Sequence, residues 1–256
     1  MTDSTDTAAE PRYGATGITP DTPESLPEHQ DDHTSILPAI VRDDPEARAL
    51  ISAANRNLGV LGFTEHGFRH VGLVSHIARN ILQRLGHDRR HQDLAEIAGY
   101  LHDIGNVVSR HGHATTGALL AHTILTRLGL APQETAIVMG AIGSHSDDHG
   151  KLGEPVDAIS AALILADKSD VHRSRVRVTD PAEFDDHDRV NYATTSSFVR
   201  VDREARTITL ELETDTDIAT PMHYFELFLP RMVMCKRAAE VLECTFRITM
   251  NQVTML

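Results

Sequence analysis

Between residues 45 and 170 apolar side chains recur at steps of three and four, and no alternating pattern competes with them. That period puts one apolar stripe on each segment, so the region reads as helices packed through short connections. Asp44-Pro45 has the form of an N-cap followed by proline at the first helical position, and the helix it opens runs to about Leu58. Thr64 is placed to cap the next helix. Its stripe is Val71, Val74, Ile77, Ala78, Ile81, Leu82 and Leu85, with Gly86 at its end. Further helices are expected over about 92–103, 114–128, 132–145 and 156–169, the last two separated by the polar loop SDDHGKLGEP.

The pattern changes after Asp180-Pro181. A short helical piece to Tyr192 precedes two alternating runs, 197–201 and 207–212, with Asp202-Arg203-Glu204-Ala205 as the turn between them. A helix over 221–242 and a strand over 245–250 complete a β-β-α-β unit. The expected fold class is mainly α, a helical bundle with a small C-terminal α+β unit. Residues 1–38 carry five of the eleven prolines and eight acids against one arginine, without an apolar period, and read as a disordered acidic arm. The expected division is the arm at 1–38, the helical domain at 39–194 and the α+β unit at 195–256. Phe225, Leu227, Phe228, Leu229, Met232, Val233 and Met234 give the last helix more apolar surface than three strands can cover. A homodimer seam is expected to bury the excess; the rival is that this helix lies on the helical domain and shapes its pocket.

With 37 acidic residues against 24 basic ones, the net charge of −13 argues against a general nucleic-acid binder, which needs a basic face. It does not exclude a small phosphorylated substrate held by metal ions. No apolar run reaches the roughly 18 residues of a membrane span. The N-terminus lacks the basic flank and apolar core of a signal peptide. Cys235 and Cys244 cannot make a disulfide framework or a cysteine-rich zinc site. A cytoplasmic protein without a membrane partner is expected.

Histidine is over-used: 11 of the 16 lie between residues 61 and 150. His102-Asp103, at a helix end and followed by Ile104-Gly105, offers an imidazole nitrogen and a carboxylate within one turn, a set that divalent ions accept. Alone the pair is weak, since a helix-end histidine beside a solvated acid is common. Its context is stronger. His70 lies on the preceding helix, His113 and His145 sit at or near helix ends, and Asp167 follows five apolar residues, where an unpaired acid is costly.

The order His, His-Asp, His, His, Asp, carried by FRHVGLVSHIARN, AGYLHDIGN, RHGHATTGA, AIGSH and LILADKSDVHRSR, resembles the HD-domain superfamily of metal-dependent phosphohydrolases over about residues 60–175. The six-residue pattern is similar to the subset that binds two metals. The resemblance implies an HD helical bundle in which His70, His102, Asp103 and Asp167 hold one divalent ion. His113 and His145 complete a second site, and Asp103 is shared. Mn or Fe is the implied metal, with Mg, Ni, Co or Zn as further candidates. Asp103 and Lys168 are the implied catalytic residues. The chain departs from the cyclic-dinucleotide phosphodiesterases of this superfamily: Asn106 stands where they carry lysine after the glycine, and there is no GYP triplet. Lys168 is expected to replace that lysine.

Arg173, Arg175 and Arg177 alternate just past Asp167, and Arg173 and Arg175 are expected to grip phosphate. The alternative for them is pairing with Asp170, Asp180 or the acids of 183–188. His66, one turn before His70, and Glu65 are candidates near the site; His111 competes with His113; and one of Asp147, Asp148 and His149 is a candidate general acid. His76, His87, His91 and His122 read as surface or packing residues. Met222, Phe225, Leu229, Met232 and Met234 read as a core or interface stripe. The expected function is hydrolysis of a phosphate ester or phosphoanhydride in a nucleotide-like substrate by a metal-activated hydroxide. The alternatives are a diiron HD oxygenase and a non-catalytic nucleotide-sensing HD module.

Overall fold

Most helices start where the chain supplies a terminus for them. The computed structural model describes residues 36–148 and 151–255, so the expected acidic arm lies, up to residue 35, outside the described residues. Ile36 is already buried, and Pro38 opens α1 (Pro38–Asp43). Asp44 caps α2 (Pro45–Val60) by accepting from the Ala47 N–H. α3 (Phe68–Leu85) begins later than a cap at Thr64 implies, with Gly67 before its first turn. The Thr64 carbonyl accepts from His66 Nδ1 instead, and the Glu65 carboxylate takes up the Gly67 N–H. Asp88 caps α4 (Arg89–Leu101).

One 3-10 turn (Ile104–Val107) leads to α5 (His113–Leu128) and α6 (Pro132–Gly143). The polar loop after α6 contains a small hairpin, β1 (Asp147–Asp148) with β2 (Lys151–Leu152), too short to leave any period in the sequence. Asp157 and Ser160 then form a capping box at the start of α7 (Ala158–Ser169). Residues 159–166 of α7 are all buried, since α3, α4, α6 and α9 surround this helix. α3 and α4 pack against each other at close range: a Cβ on Gly99 would lie 2.6 Å from the Ser75 Cα.

Short 3-10 turns at Arg173–Arg175 and Pro181–Glu183 lead to α8 (Asp186–Ala193), and a mixed sheet follows. β3 (Thr194–Asp202) and β4 (Thr207–Thr214) form an antiparallel hairpin, with Val199 opposite Leu210 and Val201 opposite Ile208. α9 (Pro221–Val241) crosses over, so β5 (Thr245–Met250) returns parallel to β4. Asn251 and Gln252, both at positive φ, turn the chain tightly into a short fourth strand, β6 (Val253–Thr254), beyond the β-β-α-β unit read from the sequence.

The buried sheet residues Ile208, Leu210, Leu212, Ile248 and Met250 belong to the same hydrophobic core as α3, α4 and α7. On α9, Tyr224, Phe228, Met232, Met234 and Cys235 are buried, while Met222 and Leu229 are exposed. Of the apolar excess read as a dimer seam, Phe228, Met232 and Met234 are buried within the chain, Phe225, Leu227 and Val233 are partly buried, and Leu229 is exposed; α9 packs on α7 and β5. Among the described residues, no helix is long and apolar enough to cross a membrane.

Candidate metal centre

Five helix ends meet at one end of the bundle. His70 lies in the first turn of α3, His102 and Asp103 directly after α4, His113 at the start of α5, His145 just past α6 and Asp167 in the last turn of α7. Asp167 retains slight exposure, and the other five are buried.

The histidines are oriented by what their outer nitrogens meet. His102 Nδ1 lies 2.8 Å from the Gly99 carbonyl, His113 Nδ1 2.9 Å from that of Arg110 and His145 Nδ1 2.6 Å from that of Ile142. In each case the carbonyl belongs to the third residue before. His70 Nδ1 instead meets the Asp170 carboxylate at 2.6 Å. A carbonyl or carboxylate oxygen can only accept here, so Nδ1 carries the proton and each Nε2 turns a lone pair inward.

Those lone pairs face one another and two acids. His70 Nε2 lies 3.2 Å from His102 Nε2, 3.5 Å from Asp103 Oδ2 and 3.4 Å from Asp167 Oδ1. His102 Nε2 is 3.5 Å and 3.6 Å from the same two oxygens. On the other side of Asp103, His113 Nε2 lies 3.2 Å from His145 Nε2, and the two are 3.6 Å and 4.0 Å from Asp103 Oδ1. A first-row ion about 2.0–2.2 Å from each donor spaces neighbouring donors by about 3.0–3.6 Å. Asp103 Oδ2 is buried without a hydrogen-bond partner. Converging acceptors around an orphaned carboxylate oxygen repel unless a cation sits among them, and imidazole with carboxylate is a donor set for Mn, Fe, Co, Ni or Zn. The residues present therefore fit a metal centre. Residues 67–172 match the HD domain family.

This stretch of the chain is an HD domain. The chain is also 30% identical to the uncharacterized protein MJ1020 of Methanocaldococcus jannaschii, over 47% of this chain and 53% of that protein. It thus spans about half the length of that curated relative. The buried His/Asp cluster is of the kind found at HD metal sites.

The electrostatics of the HD cluster follow from burial and crowding. Burial opposes charge on Asp103, but His102, His66, His70 and His113 around it hold its carboxyl well below the usual range. Asp167 is also held well below the usual range against burial, by Lys168 and the two histidines beside it. Burial, reinforced by His102 and His113, keeps His145 well below the ordinary histidine value, and burial lowers His113. His70 differs. Burial and Arg175 push its pKa down, yet Asp167 and Asp170 raise it overall.

A shell of residues holds the cluster in place, and the sequence reading had missed part of it. Asp170 is gripped by both terminal nitrogens of Arg69, at 3.2 Å and 2.7 Å, and orients His70. Its position three residues after Asp167, at the same helix end, was the available signal. Asn106, which replaces the expected lysine, donates to Asp103 Oδ1 at 2.9 Å and fixes the carboxylate plane. The Glu65 carboxylate holds Arg69 and reaches the site through it. Asp170→Asn is expected to weaken metal binding about 10- to 100-fold, because His70 loses the carboxylate that fixes its tautomer. Metal titration of the purified variant measures this.

The arginines part company. Arg175 is buried, bonded to the Asp170 and Glu65 carbonyls and to His66 Nε2 at 3.0 Å, and its Nε lies 3.6 Å from the Asp170 carboxylate. Arg173, expected to bind phosphate, is exposed and lies over the Tyr192 ring, 5.3 Å from its centroid, outside the pocket lining. One 3-10 turn sends these alternate residues in different directions. Arg177 is taken up by Asn55 and the Phe63 carbonyl.

Lys168 is buried, with Nζ 2.8 Å from Asp167 Oδ2 and 3.8 Å from Asp147 Oδ1. His111 is exposed on the loop, whereas His113 faces the cluster. His149 lies outside the described residues. Beside the cluster opens a cavity of about 450 Å³, whose wall includes Phe63, His66, Arg110, Asp147, Arg175 and Arg231. Arg110 and Arg231 were not anticipated at the site.

Proposed function

We propose that the protein is a two-metal phosphohydrolase that cleaves a phosphate ester or phosphoanhydride of a nucleotide-like substrate. The observation that carries this reading is the division of Asp103: Oδ2 faces His70 and His102, while Oδ1 faces His113 and His145. In this reading His70, His102, Asp103 and Asp167 hold one divalent ion, Mn or Fe, and Asp103, His113 and His145 hold the other. Bound there, the ions lower the pKa of a shared water and neutralise charge on phosphoryl oxygens.

The chain's own residues set the stage for that chemistry. Asn106 keeps the Asp103 carboxylate turned so that each oxygen serves one group of histidines. The three backbone carbonyls and Asp170 hold a proton on Nδ1 of all four imidazoles and so turn each Nε2 inward. Lys168 is placed beside Asp167 to meet a phosphoryl oxygen, the part left vacant by Asn106. The pocket wall next to the cluster gives the leaving group room of the size usual for small-molecule sites.

The test is a panel of phosphate monoesters, nucleoside di- and triphosphates and dinucleoside polyphosphates, assayed with Mn²⁺ or Fe²⁺. The expected result is phosphate or nucleotide release that stops on chelation and returns with metal. A fully metal-loaded protein that turns over none of them, or that consumes oxygen with a non-phosphorylated substrate, contradicts the reading.

A further inference from the structure

Arg231 comes from α9, outside the matched HD stretch, and its guanidinium lines both the metal-side cleft and the adjoining cavity. Its guanidinium lies 4.4 Å from the centroid of the Phe228 ring; it makes no hydrogen bond or ion pair with the described residues. Arg110 lines the same two spaces, and its one side-chain hydrogen bond is a 3.3 Å contact to the Asn106 amide oxygen. The two contrast with Arg175, whose charge and donors are already taken up by Asp170, Glu65 and His66. Burial, Arg175 and Arg110 all disfavour charge on Arg231, and Asp147 and Asp167 offset them only in part. Asp147, Asp185 and Asp188 share the cavity wall without pairing to Arg231.

A partly desolvated guanidinium held without a partner costs free energy that a bound anion recovers, and its planar fork suits phosphate oxygens. We infer that Arg231, with Arg110, forms a second anion site that binds a phosphoryl group of the substrate other than the one at the proposed metals. This rests on the phosphohydrolase reading and narrows it. The substrate class becomes compounds with at least two phosphoryl groups, in which the leaving group is itself phosphorylated. The C-terminal helix then contributes to substrate choice, while the HD stretch supplies the metal ligands.

The test is binding of inorganic pyrophosphate to the chelator-treated full chain by calorimetry, for wild type, Arg231→Gln, Arg231→Lys and Arg237→Gln, with thermal melts confirming folding. Arg237 is exposed on the same helix. Arg231→Gln is expected to weaken binding about tenfold or more, the scale of a lost charged hydrogen bond, with Arg231→Lys intermediate and Arg237→Gln unchanged. Equal affinity in wild type and Arg231→Gln, or no saturable binding to folded wild type, overturns the inference. Neither outcome depends on bound metal or turnover. A protein that binds pyrophosphate through Arg231 but hydrolyses nothing when metal-loaded overturns the phosphohydrolase reading instead.

Discussion

Asp103→Ala is expected to strip the protein of its metal and reduce hydrolysis to the uncatalysed background. Removing the carboxylate leaves His113 and His145 facing each other across 3.2 Å with no acid between them, and leaves His70 and His102 with Asp167 alone. Two neutral imidazoles hold a divalent ion poorly, and the shared ligand that keeps two ions close is gone. Elemental analysis should fall from about two ions per chain in wild type to well below one. His113→Ala and His145→Ala should each lose one ion and keep the other. Asp103→Asn, of nearly the same volume, separates loss of ligation from loss of packing. A full complement of metal in folded Asp103→Ala would mean that the ions sit elsewhere.

Gly105→Ala is expected to cost about 3 kcal/mol or more of stability, at the upper end of overpacking effects. A Cβ there would lie 2.0 Å from the His113 carbonyl oxygen and 2.5 Å from the Gly117 amide nitrogen, both backbone atoms of α5. The turn after Asp103 and the start of α5 must separate to admit it, and His113 moves with them. For a domain of this size the melting temperature should fall by roughly 6–12 °C, with the site that includes His113 losing affinity as well. Gly72→Ala is the counterpart. Nothing lies within 4 Å of its added Cβ, so the helix gains up to about 1 kcal/mol from the better helix former. Gly105→Ala melting within a degree of wild type would show that α5 does not press on this turn.

The bundle was legible because its evidence is local and periodic. The apolar stripe of α3, the Asp44 cap and the glycine after α5 each act within a few residues; the boundaries moved by a few residues, at α3 where side chains around Thr64 take up the backbone and at α4 where Asp88 caps the helix ahead of its expected start. The six-residue cluster was legible for a different reason: each member sits at a helix end, and the resemblance supplied the pairing that spacing alone could not. Asp170 and Asn106 stand three residues after Asp167 and Asp103, so a one-turn rule applied to the two acids would have found both. Arg231 had no such signal. It is one arginine on a long apolar helix, and only the packing of α9 on α7 brings it to the cluster. Arg173 lies outside the pocket lining for the converse reason, because alternation in sequence does not survive a 3-10 turn.

The proposed chemistry requires two ions that share Asp103. Anomalous diffraction from Mn- or Fe-loaded crystals tests this directly. The expected result is two peaks about 3.5–4 Å apart, one among His70, His102 and Asp167, the other beside His113 and His145, with an Asp103 oxygen on each. A single peak, or two peaks that Asp103 does not bridge, contradicts it.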